Sequence, residues 1–305
     1  MKYSLIIPHF NDPERLERLL RTVPVGREDL EVLVVDDCSP DQSSLELLKD
    51  RWSTVLWLST FENSGAGGAR NVGLSHAQGE RLVFADSDDE FLSGAFDVFD
   101  EHVRLEDEVV YFLAEAVQEV DGSASNRADK MNELCMTYLD SPSEAMLDRL
   151  KLGHVNPYAK VYSRWFVEKI GVNFEVTLVS NDVAFNVLAA VQARHLRVVL
   201  VPVYRVVRRE GSLTAGDDDV EMLFERMRVL ARLNYQLAGL GVSNRLHAGG
   251  YLYRFLNHGP KVFVKAFREA YSSNLFWPIL RRLTIREVSG FIHRLTRDRK
   301  ERERM

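Results

Sequence analysis

The sequence predicts an α/β domain with a mainly parallel central sheet flanked by helices, followed by a helical C-terminal region. Three observations carry that reading. Apolar runs of strand length alternate with segments of helical period through the first 115 residues, the pattern of strands joined by crossover helices. The runs are near-continuous aliphatics, such as Leu30 to Val35, which suits strands covered on both faces. From Asp217 the pattern is helical almost to the end.

Ser4 to Pro8 reads as the first strand. Asp12-Pro13 opens a helix, with Asp as cap and Pro at the first helical position, and Leu16, Leu19, Leu20 and Val23 form its apolar face. A strand at Leu30 to Val35, a helix from Asp41 to Trp52, a strand at Val55 to Leu58, a helix from Gly67 to Ala77 and a strand from Arg81 to Ala85 follow; another helix and strand reach Leu113. Val117 to Arg127 is polar and carries an Asp-Gly turn, so the alternation ends there. Beyond it the sequence predicts helices at Ser143 to Leu152, Arg164 to Ile170 and Asp182 to Ala193, an extended segment at Tyr158 to Tyr162, and a strand at Val198 to Val203. The expected organisation is one α/β domain over 1–215, in halves 1–115 and 116–215, then a helical region over 216–305.

The chain has 305 residues, 46% hydrophobic and 28% charged, enough to bury a proper core. Pro8, Asn11 and Asp12 come too early for a signal-peptide apolar region, and no uninterrupted run of about 18 apolar residues occurs. Only Cys38 and Cys135 are present, without zinc-site spacing, which favours a reducing cytosol.

An open parallel sheet binds its ligands beyond the carboxyl ends of its strands. After the second strand comes Asp36-Asp37-Cys38-Ser39-Pro40-Asp41, and after the fourth comes Asp86-Ser87-Asp88-Asp89. Ionised together, close carboxylates repel by roughly 1 to 4 kcal/mol per pair. A divalent cation relieves that repulsion, and one or two carboxylates completed by water and phosphate suit Mg²⁺ or Mn²⁺ on a nucleotide diphosphate. A solvated acidic turn is the other reading of Asp86 to Asp89, and a turn with a helix cap is the other reading of Asp36 to Asp41.

Gly65-Ala66-Gly67-Gly68-Ala69-Arg70 invites a dinucleotide-fold reading that fails: Arg70 replaces the third glycine, and the first strand-to-helix turn has no glycine. A glycine-rich helix start with an arginine is better suited to close approach to a phosphate or nucleobase.

Taken together, Ser4 to Asn11, Val34 to Ser39, Gly68 to Gly73, Gly79-Glu80 and Phe84 to Asp89 closely resemble the family 2 inverting glycosyltransferases of GT-A fold, in order and spacing over about 90 residues. The resemblance implies a nucleotide-sugar donor, usually a UDP-sugar, a divalent metal (Mn²⁺ or Mg²⁺), and transfer with inversion to a glycan or lipid-linked glycan, as in bacterial surface polysaccharide synthesis. It implies that Pro8 and Phe10 line the nucleotide pocket, Asp37 binds the base, Asp36 supports the ribose side, and Arg70 lies near the base or phosphates. Asp88 is then the direct metal ligand, with Asp86 beside it and nearer the ribose. Asn156 to Tyr162 and Ser180 to Phe185 resemble the acceptor half, with Asp182 as general base; Asn181 stands where the family usually has Glu. For Asp182 a helix N-cap is the alternative. Arg208 and Arg209 are candidate diphosphate contacts, in a segment that lacks the family's histidine. His154 and Asn181 complete the candidates.

Residues 245 to 305 hold fourteen Lys or Arg against five Asp or Glu, while the rest is acidic. Phe276, Trp277, Leu280, Leu283, Val288, Phe291, Ile292 and Leu295 recur at helical spacing among Arg281, Arg282, Arg286, Arg294 and Arg297. Such a basic amphipathic stripe either packs on the protein or lies on an anionic membrane, which would put the chain at the cytoplasmic face. No aromatic and basic interleaving of a nucleic-acid module is present. A catalytically silent relative that binds nucleotide sugar is the competing reading. A nucleotidyltransferase is disfavoured, because its lysine-bearing glycine loop should follow the first strand.

Overall fold

In the computed structural model, which describes residues 1–209, 219–273 and 275, strand β1 (Tyr3–His9) lies parallel to both its neighbours, β2 (Leu30–Asp36) and β4 (Arg81–Phe84). Strand β3 (Leu56–Ser59) extends the parallel run beyond β2. On the other side of β4 come β7 (Lys160–Ser163), antiparallel, then β6 (Val109–Gln118), β8 (Leu196–Arg208) and the two-residue β5 (Glu90–Phe91). The order is β3-β2-β1-β4-β7-β6-β8-β5. The sheet is parallel from β3 to β4 and over β6 with β8, while β7 and β5 run against their neighbours.

Alternation along β1 shows how the layers form. Tyr3, Leu5 and Ile7 enter a core with Leu16, Leu19 and Leu20 of helix α1 (Pro13–Leu20), Leu48 of α2 (Gln42–Arg51), and Phe96 and Phe99 of α4 (Ala95–His102). Each such fully buried side chain contributes roughly 1.5 to 3 kcal/mol. Ile6, one residue out of phase, meets α3 (Gly65–His76) on the opposite face, where a Cβ on Gly73 would stand 2.4 Å from its Cγ2. On that face Phe84, Tyr162, Phe174 and Phe185 form an aromatic cluster, with Phe174 and Phe185 stacked at 4.0 Å between centroids.

Helix α1 begins as predicted, Asp12 accepting the Arg15 N–H and Pro13 opening the helix. The sequence reading missed α5 (Asp129–Asp140), whose buried Met131 and Cys135 stand four residues apart, and cut β8 short. That strand continues to Arg208 because Tyr204, Val206 and Val207 stay buried while Arg205 and Arg208 reach toward solvent. Helices α6 (Glu144–Gly153), α7 (Arg164–Ile170) and α8 (Val183–Gln192) match the predicted segments within about two residues.

The chain divides into two compact units, Met1–Asp218 and Asp219–Met305. In the second, α9 (Val220–Gly239), α10 (Gly249–Phe255) and α11 (Pro260–Ser272) gather around Leu223, Phe224, Met227, Phe255 and Ala266. The predicted amphipathic stripe from Phe276 to Leu295 lies outside the described residues. Among the described residues no helix is long and apolar enough to cross a membrane.

Candidate active site

The carboxyl ends of β1, β2 and β4 lie side by side, with His9 opposite Asp36 and Ile6 opposite Phe84. The strand order turns there, since β1 is followed outward by β2 and β3 on one side and by β4 on the other. This is the crevice where such sheets bind ligands. Pro8 is buried within β1, whereas Phe10 just beyond it is 49% exposed.

The two adjacent acids after β2 do different jobs. Asp36 is buried and its carboxylate organises the turn, accepting the Ser39 N–H at 3.1 Å, the Ser39 hydroxyl, and the Gln42 amide at 3.3 Å. Asp37 accepts the Thr60 hydroxyl at 2.8 Å and the Ser64 N–H at 2.9 Å, tying β2 to the residue that opens α3.

After β4 the three aspartates separate. Asp89 turns inward, 3% exposed, and accepts the Val207 N–H of β8 at 2.8 Å; burial, then Asp86 and Asp88, push its carboxyl well up. It braces the loop and has left the cluster expected from spacing alone. Asp86 and Asp88 stay about one third exposed. The Asp86 N–H donates to the Tyr204 hydroxyl at 2.9 Å, and the Tyr204 ring stacks on Tyr158. Arg18 donates to the Asp88 carbonyl at 2.5 Å. Arg209 Nε stands 3.8 Å from Asp88 Oδ2, beyond hydrogen-bond range, and its Nη1 reaches Asp12 at 3.4 Å. Burial raises the Asp88 pKa, Asp86 adds to the rise, and Arg209 opposes it.

Asp88 therefore offers a partly exposed carboxylate whose nearest cation is not bonded to it. Among the described residues no group of three or more His, Cys, Asp or Glu forms a metal cage. The donor set fits a hard divalent ion held by one or two carboxylates and completed by water and substrate oxygens.

Asp182 sits at the N-cap position of α8, yet its side chain makes no capping hydrogen bond. The carboxylate is half-buried and its pKa is raised, first by burial, with Asp86 adding and Arg70 and Lys160 opposing. Arg70 links the two halves. Only 4% exposed, it donates to Asp86 Oδ1 at 2.5 Å and to Asn181 Oδ1 at 2.9 Å, with its guanidinium 5.3 Å from the centre of the Phe174 ring. Asn181 thus occupies the Arg70 contact next to Asp182.

The glycines of α3 serve close packing: a Cβ on Gly67 would stand 2.1 Å from the Glu175 carbonyl oxygen and 2.9 Å from Asn181 Cβ, so protein, not phosphate, makes the approach. Arg70, expected near base or phosphates, is bonded to Asp86 and Asn181. His154 is fully buried edge-on to Tyr111, away from any surface a ligand reaches. Arg208 ends β8 half-buried. Tyr204 and the brace of Arg15 and Arg18 on Glu119 escaped the sequence reading; Glu119, held by Arg15 at 2.7 Å, has its pKa drawn down to about 2. No local spacing marks them, because each bond spans about 100 residues or more of chain.

A curled sheet with helices on both faces and carboxylates at its crevice defines the GT-A class, and solved structures of that class superpose on this chain. Staphylococcus aureus TarS residues 1–349 in complex with UDP-GlcNAc aligns at TM-score 0.58 and 20% identity, covering 96% of this chain and 79% of that one. A mannosyltransferase, PcManGT from Pyrobaculum calidifontis, in complex with GDP-Man and Mn²⁺, aligns at TM-score 0.51 and 15% identity, covering 97% and 79%. The glycosyl transferase family 2 profile matches residues 4–171, more than half of the sequence, and the chain belongs to that family. Curated relatives include the poly(ribitol-phosphate) beta-N-acetylglucosaminyltransferase TarS of Staphylococcus aureus, 39% identical over 111 residues, which are 33% of this chain and 19% of that protein. The GalNAc(5)-diNAcBac-PP-undecaprenol beta-1,3-glucosyltransferase of Campylobacter jejuni is 38% identical over 98 residues, 31% of this chain and 32% of that protein. The matches span between about a fifth and a third of these relatives' lengths.

Proposed function

We propose that this chain transfers a sugar from a nucleotide-sugar donor, a UDP-sugar, to a hydroxyl of a glycan or lipid-linked glycan, with inversion and with help from Mn²⁺ or Mg²⁺, in the synthesis of a bacterial surface polysaccharide. The observation that carries it is the uncapped Asp182 carboxylate, joined through Asn181 and the buried Arg70 to Asp86 of the Asp-x-Asp turn. The activities named for the two curated relatives, sugar transfer to poly(ribitol-phosphate) and to an undecaprenol-linked glycan, support the donor and acceptor classes. Work at the cytoplasmic face, with the basic tail on an anionic membrane, belongs to the same proposal.

In this reading Phe10 and Asp37 receive the base, and Asp86 receives the ribose side. Asp182 accepts the proton of the acceptor hydroxyl as its oxygen attacks the anomeric carbon. Attack comes from the face opposite the departing diphosphate, through an oxocarbenium-like transition state. The raised carboxyl pKa moves Asp182 toward the range in which a base is effective. Arg70 stays bonded to Asp86 and Asn181, keeping donor and acceptor residues in register. Arg209, 3.8 Å from Asp88, meets the diphosphate in this reading. A divalent ion on Asp88, when bound, supplies Lewis-acid stabilisation of the charge on the leaving diphosphate.

The test is UDP release from a panel of UDP-sugars with Mn²⁺ and after chelation. Turnover that needs the ion and falls at least about 100-fold in Asp182→Asn, with UDP binding retained, supports the proposal. UDP binding without turnover by any sugar tried would favour a binding module.

A further inference from the structure

Lys160 lies in the core, 1% exposed, and among the described residues no ion pair joins it to a carboxylate. A buried amine keeps such a place only when its donors are used. Its Nζ donates to the His154 carbonyl at 2.7 Å and to Asn186 Oδ1 at 2.9 Å, and stands 4.7 Å from the centre of the Tyr111 ring. The Tyr162 hydroxyl donates to the same Asn186 oxygen at 2.6 Å. Two donors on Oδ1 fix which way the Asn186 amide faces. Its Nδ2 therefore points to the Asp182 carbonyl oxygen, bonded at 2.8 Å, while the Asn186 backbone N–H reaches that oxygen at 3.1 Å. Asp182 is gripped through its main-chain carbonyl, and its carboxylate makes no capping hydrogen bond.

We infer that Lys160 is a positioning residue for the candidate base: through Asn186 it locks the first turn of α8 so that the Asp182 carboxylate is held at the cleft instead of folding back as a helix cap. The inference rests on the reading of Asp182 as the base. Burial pushes the Lys160 ammonium well down; in its protonated form it favours the ionised Asp182 carboxylate. The groups facing Asp182 are Arg70 of α3, Asp86 after β4, and Tyr158, Lys160 and Tyr162 before and on β7.

The experiment uses the full chain with Lys160→Met and measures UDP release from the UDP-sugar that wild type turns over fastest, with water as acceptor, from about pH 4 to about pH 9. The expected result is a kcat about tenfold lower, a donor KM changed less than about twofold, and an acid limb moved to higher pH. A cooperatively melting Lys160→Met chain with wild-type kcat and acid limb overturns the inference. Where that variant does not melt cooperatively, Asn186→Asp carries the same test: it keeps the acceptor for Lys160 and Tyr162, removes the amide donor to Asp182 and adds a negative charge. An unmoved acid limb there also overturns it. Asp182→Asn is the separate control. Activity surviving that change overturns the base assignment beneath, whereas activity lost there but untouched by the Lys160 and Asn186 changes overturns this inference alone.

Discussion

Replacing Asp182 by Asn separates a base from a cap, because the two roles predict different changes in stability. A capping aspartate contributes about 1 kcal/mol, and Asn caps equally well, so a structural Asp182 would leave stability near wild type at every pH. The geometry here differs: the side chain makes no cap bond, and the two hydrogen bonds on the residue fall on its carbonyl oxygen, which Asn keeps. What Asn removes is a carboxylate whose pKa burial has raised. A raised carboxyl means the folded state holds its proton longer than the unfolded one, so folding loses stability as pH rises through the ordinary carboxylate range to the folded value. The penalty is absent at low pH and complete at neutral pH. Asp182→Asn should then stabilise the first unit by about 1 kcal/mol at pH 7, the usual size for a relieved functional site. For a unit of this size that is a rise of about 2 to 4 °C in Tm, shrinking to nothing near pH 3, while turnover falls by about 10² to 10⁴. Calorimetry at the two pH values, beside the UDP-release assay, reads both. A melting point lowered or unchanged at neutral pH, with turnover kept, would refute the reasoning.

Three further outcomes follow from other contacts. Arg70→Met removes a buried guanidinium bonded to Asp86 and Asn181; urea unfolding should show a loss of about 2 kcal/mol, reduced from the value for a fully buried pair because Asp86 is one third exposed, and turnover should vanish with it. Gly67→Ala places a methyl 2.1 Å from the Glu175 carbonyl; it should cost about 1 to 3 kcal/mol and raise donor KM as the loop carrying Asn181 shifts, measured by thermal melt and kinetics. Glu119→Gln releases Arg15 and Arg18; because the Glu119 pKa is drawn down to about 2, its contribution is present above the ordinary glutamate range and fades as pH falls toward that value. The variant should therefore be about 1 kcal/mol less stable at pH 7, with the gap closing in acid unfolding.

The corrected details show what local pattern reads poorly. Helix α5 carries its apolar residues between charged ones, so Met131 and Cys135 stood out too weakly beside the polar turn before them. The antiparallel β7 was read only as a short extended segment, because direction within a sheet depends on the neighbour a strand finds and not on its own composition. The aspartates after β4 share one sequence signature, yet Asp89 is drawn inward by a backbone N–H 118 residues away. Asn181 read as a departure from a family pattern; in the fold it is the acceptor that holds Arg70.

From the sequence alone came the alternation of strands and helices, the cap and proline that open α1, the acidic strand ends, and the family those motifs mark. These are legible because periodicity, capping and motif spacing act over a few residues. Only the tertiary structure decided which aspartates face the crevice, that the α3 glycines admit another loop, that Arg70 joins the two halves, and that a buried lysine stands behind Asp182. Those outcomes depend on which distant groups burial brings within about 3 Å of one another, and in a close-packed interior each buried donor must find a partner wherever in the chain it lies.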